Sequence, residues 1–145
     1  MAGAGPSGVY VGVVRPWLLA ILAWAFLGCG GSGHPAVREF VATDAENGQT
    51  IKVHAGDTVR VTLSSTAWSI SGSSDSTVLE QAGLQVVSPA PLGACYPGQN
   101  CGATSAVYRA IKAGTASVDA SRVSCGEARM CVGPERTYQV TVIVI

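Results

Sequence analysis

Four cysteines stand as two copies of one spacing, Cys95-x5-Cys101 and Cys125-x5-Cys131. Paired sulfurs can hold zinc or close disulfides. Zinc knuckles use shorter gaps and recruit nearby histidine, whereas no histidine lies close to either pair in this sequence. An even number of cysteines points to disulfides where the chain is exported, and the N-terminal segment supplies that condition. Three pairings are possible. The local one, Cys95 with Cys101 and Cys125 with Cys131, is favoured because each pair brackets a loop containing Gly or Pro. In the chain-entropy model each such ring contributes about 2 kcal/mol, chiefly by restricting the unfolded chain.

Other chemistry is sparse. Nucleophilic catalysis needs a nucleophile, a base and an orienting group within hydrogen-bond reach. The only histidines are His34 and His54. The first precedes the folded region, and the second alternates to the solvent face of its strand. There is no Gly-x-Ser-x-Gly elbow, no phosphate-cradling glycine loop ahead of a helix and no His-Glu-x-x-His. The run Ser71 to Ser76 offers one acid, Asp75, too few for calcium, and reads as a polar turn. No enzyme, metal or cofactor is therefore expected. Nine basic and nine acidic residues, with no basic run, give no footing for nucleic acid.

The fifth cysteine, Cys29, closes the apolar run Trp17 to Gly28, which follows Arg15 and Pro16. A positive flank, a short apolar segment and small residues at its end make an export signal. The run falls short of the roughly 20 apolar residues that span a bilayer. Phe26-Leu27-Gly28-Cys29 resembles the lipobox of bacterial lipoproteins, although Phe26 stands where Leu is usual. The resemblance implies a lipid on Cys29 and a protein held at the cell membrane on its extracytoplasmic side. Residues 1–28 are thus expected to be a signal peptide and 29–36, rich in glycine, a lipidated tether. About 110 residues remain from 37 to 145, enough for one domain with a sizeable core.

Those residues must position the cysteine loops, and from Val37 onward they alternate apolar and polar with turn residues every 8–12 positions, the pattern of an all-β antiparallel sandwich. Strands are predicted at 37–42, 50–54, 57–64, 67–71, 77–81, 84–88, 104–112, 115–123 and 136–145. Asn47-Gly48, Ala55-Gly56-Asp57 and Lys112-Ala113-Gly114 supply positive-φ positions and read as hairpin-like links. Ile51, Val53, Val59, Val61 and Leu63 are assigned to the core, as are Tyr108, Ala110, Ala116, Val118, Tyr138, Val140, Val142 and Val144. The aliphatic C-terminus reads as a central strand. Trp68 and Ile70 are also placed in the core, with the indole N–H needing a partner; the alternative puts Trp68 at a loop tip.

Several stretches, in order, resemble the chagasin-type inhibitors of cysteine peptidases. They are Asn47 to Val53, Ala55 to Leu63, Ser76 to Glu80, Tyr108 to Val118 and Tyr138 to Val142. The resemblance implies an immunoglobulin-like sandwich carrying three loops at one end. In the family the first loop reads Asn-Pro-Thr-Thr-Gly-Tyr, whereas Leu63 to Trp68 is shorter here and lacks Pro, Gly and Tyr. The family's Gly-rich and Arg-Pro-Trp loops are replaced by 93–102 and 124–134, each closed by cysteines. No inhibitory residue carries over. The candidate binding residues are Ser65, Thr66 and Trp68 from the first loop, Tyr96, Gln99 and Asn100 from the second, and Glu127 and Arg129 from the third, with Glu135 and Arg136 beside it. The expected function is a monomeric, non-catalytic binding module of the cell envelope whose partner is a protein, either an envelope protein or a peptidase. The alternative is an active inhibitor of a papain-like cysteine peptidase.

Overall fold

The computed structural model describes residues 36–96 and 98–145. The expected signal peptide, the tether before Ala36 and the lipid site Cys29 lie outside the described residues. Nine strands follow one another: β1 (Glu39–Ala42), β2 (Thr50–Val53), β3 (Thr58–Ser64), β4 (Ser69–Ser73), β5 (Leu79–Gln81), β6 (Val86–Pro89), β7 (Gly102–Ala110), β8 (Gly114–Ser121) and β9 (Thr137–Val144). All nine predicted strands are present. Short 3-10 turns occupy Asp44–Glu46 and Gly133–Arg136.

One sheet runs β1-β3-β7-β5, with β6 also paired to β7, and the other runs β2-β9-β8-β4. Alternation closes them into a sandwich. Val59, Val61 and Leu63 on β3 are buried, as are Tyr138, Val140, Val142 and Val144 on β9, while the residues between them face outward. Each such Val or Leu contributes about 1.5–3 kcal/mol relative to exposure. The C-terminal strand lies inside its sheet, between β2 and β8, which explains its aliphatic composition.

Three expectations need correction. The Gly48, Gly56 and Gly114 links do turn with positive φ, at 75°, 95° and 156°, but they are not hairpins. Each carries the chain from one sheet to the other, because β2 and β8 belong to one sheet and β1, β3 and β7 to its partner. Nor is the sandwich wholly antiparallel. The edge strands β1 and β2 pair in parallel with β3 and β9, so both sheets are mixed. Finally, Trp68 is buried as expected, but among the described residues its indole N–H has no hydrogen-bond partner. The ring is covered instead by the Arg122 guanidinium, 4.4 Å from its centroid, a cation–π contact.

Polar side chains fasten both poles of the sandwich. At the pole where the described chain begins, the buried Asp57 carboxylate accepts from the backbone N–H of His54 (2.8 Å) and of Arg38 (3.2 Å). These two bonds hold its carboxyl below the ordinary value of 3.8. His54 itself is solvent-facing, as expected, 3.7 Å from Asp57. Toward the opposite pole, the Gln85 side chain stands in for a missing strand beside β4. Its Oε1 accepts from Ile70 N–H (2.7 Å) and its Nε2 donates to Trp68 C=O (3.3 Å). An unpaired sheet edge is thereby covered. Within Ser71 to Ser76, β4 ends at Ser73 and Asp75 then caps a turn by accepting from Thr77 N–H and O–H.

Two outcomes follow. Because the folded-state value of Asp57 is depressed, its stabilisation is present above the unfolded value and is lost as pH falls through the folded one. Urea unfolding of Asp57→Asn should show a weaker domain at neutral pH whose deficit shrinks below pH 3.8. A deficit independent of pH would contradict the assignment. Gln85→Leu leaves Ile70 N–H without its acceptor and should cost about 1–3 kcal/mol in the same measurement.

Candidate functional site

At the pole opposite Arg38, β3 ends at Ser64, β7 begins at Gly102, β8 ends at Ser121 and β9 begins at Thr137. The connections 65–68, 90–101 and 122–136 therefore emerge together. Both cysteine pairs close locally, Cys95 to Cys101 and Cys125 to Cys131. Each ring spans one of the long connections.

The three connections are joined to one another. Ser65 N–H donates to Gly102 C=O and Thr66 N–H to Asn100 C=O, both at 2.9 Å. Beneath them the fully buried Thr104 hydroxyl donates to Ser65 C=O at 2.9 Å. Between the rings, Glu127 N–H donates to Gly98 C=O (2.7 Å), Gln99 Nε2 to Glu127 Oε1 (2.8 Å) and Asn100 Nδ2 to Ser124 Oγ (2.9 Å). Two glycines make this contact possible. A Cβ at Gly102 would collide with Ser88 C=O and lie 2.9 Å from Ala90 N, and one at Gly126 would press on Gln99 C=O at 3.2 Å.

The second ring is a miniature hairpin. Cys125 N–H donates to Arg129 C=O, Arg129 N–H to Gly126 C=O and Cys131 N–H to Val123 C=O, each at 2.8 Å, and Ser124 bridges Met130. Its central residues Glu127 and Ala128 both have positive φ, 49° and 60°. That is the demand of a type I′ turn, which sequences usually meet with Asn-Gly. A residue bearing Cβ pays about 1–2 kcal/mol in this region. Ser65 and Asn100 also have positive φ, so all four non-glycine residues of this kind among the described residues lie in the three connections. Backbone strain of this sort concentrates at functional sites.

Seven of the eight candidate residues meet on this surface. Ser65, Thr66, Gln99, Asn100 and Glu127 form the joints just described. Arg129 projects from the hairpin and pairs with Glu135 at 3.0 Å. Tyr96 is open, 76% exposed on the first ring. Trp68 is the exception and lies in the core below. Sequence reasoning missed the apolar part of the surface: Leu92 is fully exposed, and Met130 and Val132 are more than half exposed. Apolar side chains inside or next to cysteine-closed loops were the available signal. It also missed the link from Asp44, whose carboxylate accepts from Ser64 N–H at 2.9 Å. The spacing Thr43-x-x-Glu46 that forms its capping box is readable in the sequence. Burial raises the phenol of Tyr108 to about 12, and this group donates to Ser71 C=O at 2.7 Å in the core. Among the described residues no group of three or more His, Cys, Asp or Glu is arranged to hold a metal.

The surface is thus rigid, polar at its joints and apolar at its points. No protein-family model and no curated protein matches the chain. Solved structures do. The cysteine protease inhibitor EhICP2 from Entamoeba histolytica superimposes with a TM-score of 0.55 at 15% identity, covering 77% of this chain and 99% of that one. Amebosin superimposes with a TM-score of 0.51 at 14% identity, covering 74% and 98%. At these identities the likeness is one of fold, and it agrees with the chagasin-type resemblance read from the sequence: the chain is a β-sandwich built like a cysteine protease inhibitor.

Proposed function

We propose that the chain is an exported, lipid-anchored, non-catalytic binding module of the cell envelope, and that the three-connection end of its sandwich holds a protein partner. The observation that carries this reading is the cross-bonded tip, from which Tyr96, Leu92, Met130 and Val132 project. Aromatic and apolar groups held rigid before contact lower the ordering cost of association and are typical anchors of protein interfaces. The two disulfides support export, since such bonds persist outside the reducing cytoplasm. Attachment is assigned to a lipid on Cys29, on the resemblance of Phe26-Leu27-Gly28-Cys29 to a lipobox. Among the described residues no helix is long and apolar enough to cross a membrane.

The fold shared with EhICP2 favours a second reading, in which the partner is a papain-like cysteine peptidase and the tip inhibits it. The tip would do so with its own residues, because the first loop lacks the family's wedge.

Three measurements bear on these readings. Cys29→Ser should move the protein from the membrane fraction to the soluble exported fraction, and retention at the membrane would refute the lipid anchor. The pair Tyr96→Ala and Met130→Ala should weaken capture of an envelope partner at least tenfold, about 1.4 kcal/mol, with an unchanged thermal midpoint. Equal capture by parent and variant would place binding elsewhere. Titrating a papain-like peptidase with residues 36–145 should abolish its activity under the second reading, and full activity at micromolar domain would reject it.

A further inference from the structure

We propose that the Cys125–Cys131 bridge is a thiol–disulfide exchange site, addressed at Cys125 by a dithiol reductant of the thioredoxin type, and that opening it dismantles the binding tip. The gating consequence rests on the tip being the binding surface; the exchange chemistry does not.

Access to the two sulfurs is unequal. Cys131 is 4% exposed, whereas Cys125 is half-buried and lines an open cleft shared with Gln99, Cys101 of the first ring, Glu127 and Arg129. An attacking thiolate must approach along the S–S axis, and Cys125, not the buried Cys131, is the half of the bridge that borders the cleft. The Glu135 carboxylate, 3.6 Å from Cys125 Sγ, is paired with Arg129, so the approach does not meet an uncompensated negative charge.

The exchange balances. The reductant's first thiolate attacks Cys125 Sγ, the S–S bond breaks, and Cys131 leaves as a thiolate that takes a proton. The reductant's second thiolate then resolves the mixed disulfide, and Cys125 is released and protonated. The protein gains two electrons and two protons, and the reductant becomes a disulfide.

Opening has structural consequences because the three backbone bonds within the hairpin do little more than offset the cost of its turn. Its turn places Glu127 and Ala128 at positive φ without Asn or Gly, and one isolated bridge, Ser124 with Met130, supports it. The same turn supplies both Glu127 contacts to the first ring, at Gly98 C=O and Gln99 Nε2. Relaxation of the turn therefore removes two of the three bonds between the rings, leaving Asn100 to Ser124, while the sandwich core is untouched.

Amide hydrogen exchange on the intact chain, oxidised and after treatment with a thioredoxin-type dithiol, tests this. The amides of Glu127, Arg129 and Cys131 should lose protection at least tenfold on reduction, while those of Val118 and Val140 stay unchanged. Protection kept with both thiols shown to be free, or a bridge that the dithiol leaves closed in the folded chain, would overturn the proposal. The variant Cys125→Ser with Cys131→Ser should show the same loss. Adding Glu127→Asn and Ala128→Gly to it should restore protection at Arg129, since that pair satisfies the turn without a bridge. No restoration would show that the turn is not what the bridge supports. Partner capture by the same samples separates the two ideas: released amides with undiminished capture leave the exchange site standing and remove the tip as the binding surface.

Discussion

The tip exists because one strand is shared. β7 carries β3 along one edge from Ala103 to Arg109 and both β6 and β5 along the other. Its first residue, Gly102, has φ 126° and sits so close to Ser88, Pro89 and Ala90 that no side chain fits. The same residue offers its carbonyl to Ser65. A single backbone position thus ties the first connection, the end of β6 and the exit of the first ring. Loss of that register would move Asn100 away from Thr66 and Ser124 together. The disulfides act on loops already gathered by a backbone ladder; they do not gather them.

Magnitudes separate the interactions that shape the tip from those that decorate it. Two Cβ-bearing residues at positive φ in one turn cost about 2–4 kcal/mol together. Against this, a ring of this length contributes about 2 kcal/mol through the unfolded chain, and the backbone bonds within the hairpin about 1 kcal/mol each. The balance is close, so the bridge is a sizeable share of what holds the hairpin. The exposed pair Arg129–Glu135 adds at most about 1 kcal/mol and cannot substitute. By contrast, the sandwich below buries a continuous set of Val, Ile, Leu and Tyr from both sheets. Fold and tip therefore sit at different levels of stability.

That difference also explains what could be read from sequence. Strand positions were legible because a half-buried strand writes its burial as a period of two, and β3 and β9 obey it over their whole length. The link type was not. A positive-φ glycine such as Gly56 says that the chain turns, but not whether the next strand pairs with the last or crosses to the facing sheet. Parallel pairing of β1 and β2 was equally hidden, since edge pairing depends on long-range register and leaves no local mark. The hairpin at Glu127-Ala128 was invisible for the opposite reason: its residues contradict the usual turn chemistry, and only the flanking cysteines hinted at closure. Candidate residues Gln99, Asn100 and Glu127 were identified by loop position and prove to be the joints. Leu92, Met130 and Val132 lie outside any strand period, so nothing in the alternation marks them as exposed apolar points.

The placement of the chain's entry completes the physical picture. Arg38 pairs with Asp57 and Thr58 at the start of β3, whereas the tip lies past its end, seven residues further on. At a rise of about 3.3 Å per residue the strand separates the two by roughly 23 Å. Among the described residues, the pole at Arg38 thus carries none of the strained non-glycine residues and neither cysteine ring. The core supplies the length and stiffness of the sandwich, and the strained non-glycine residues and both cysteine rings of the described residues are confined to its far end.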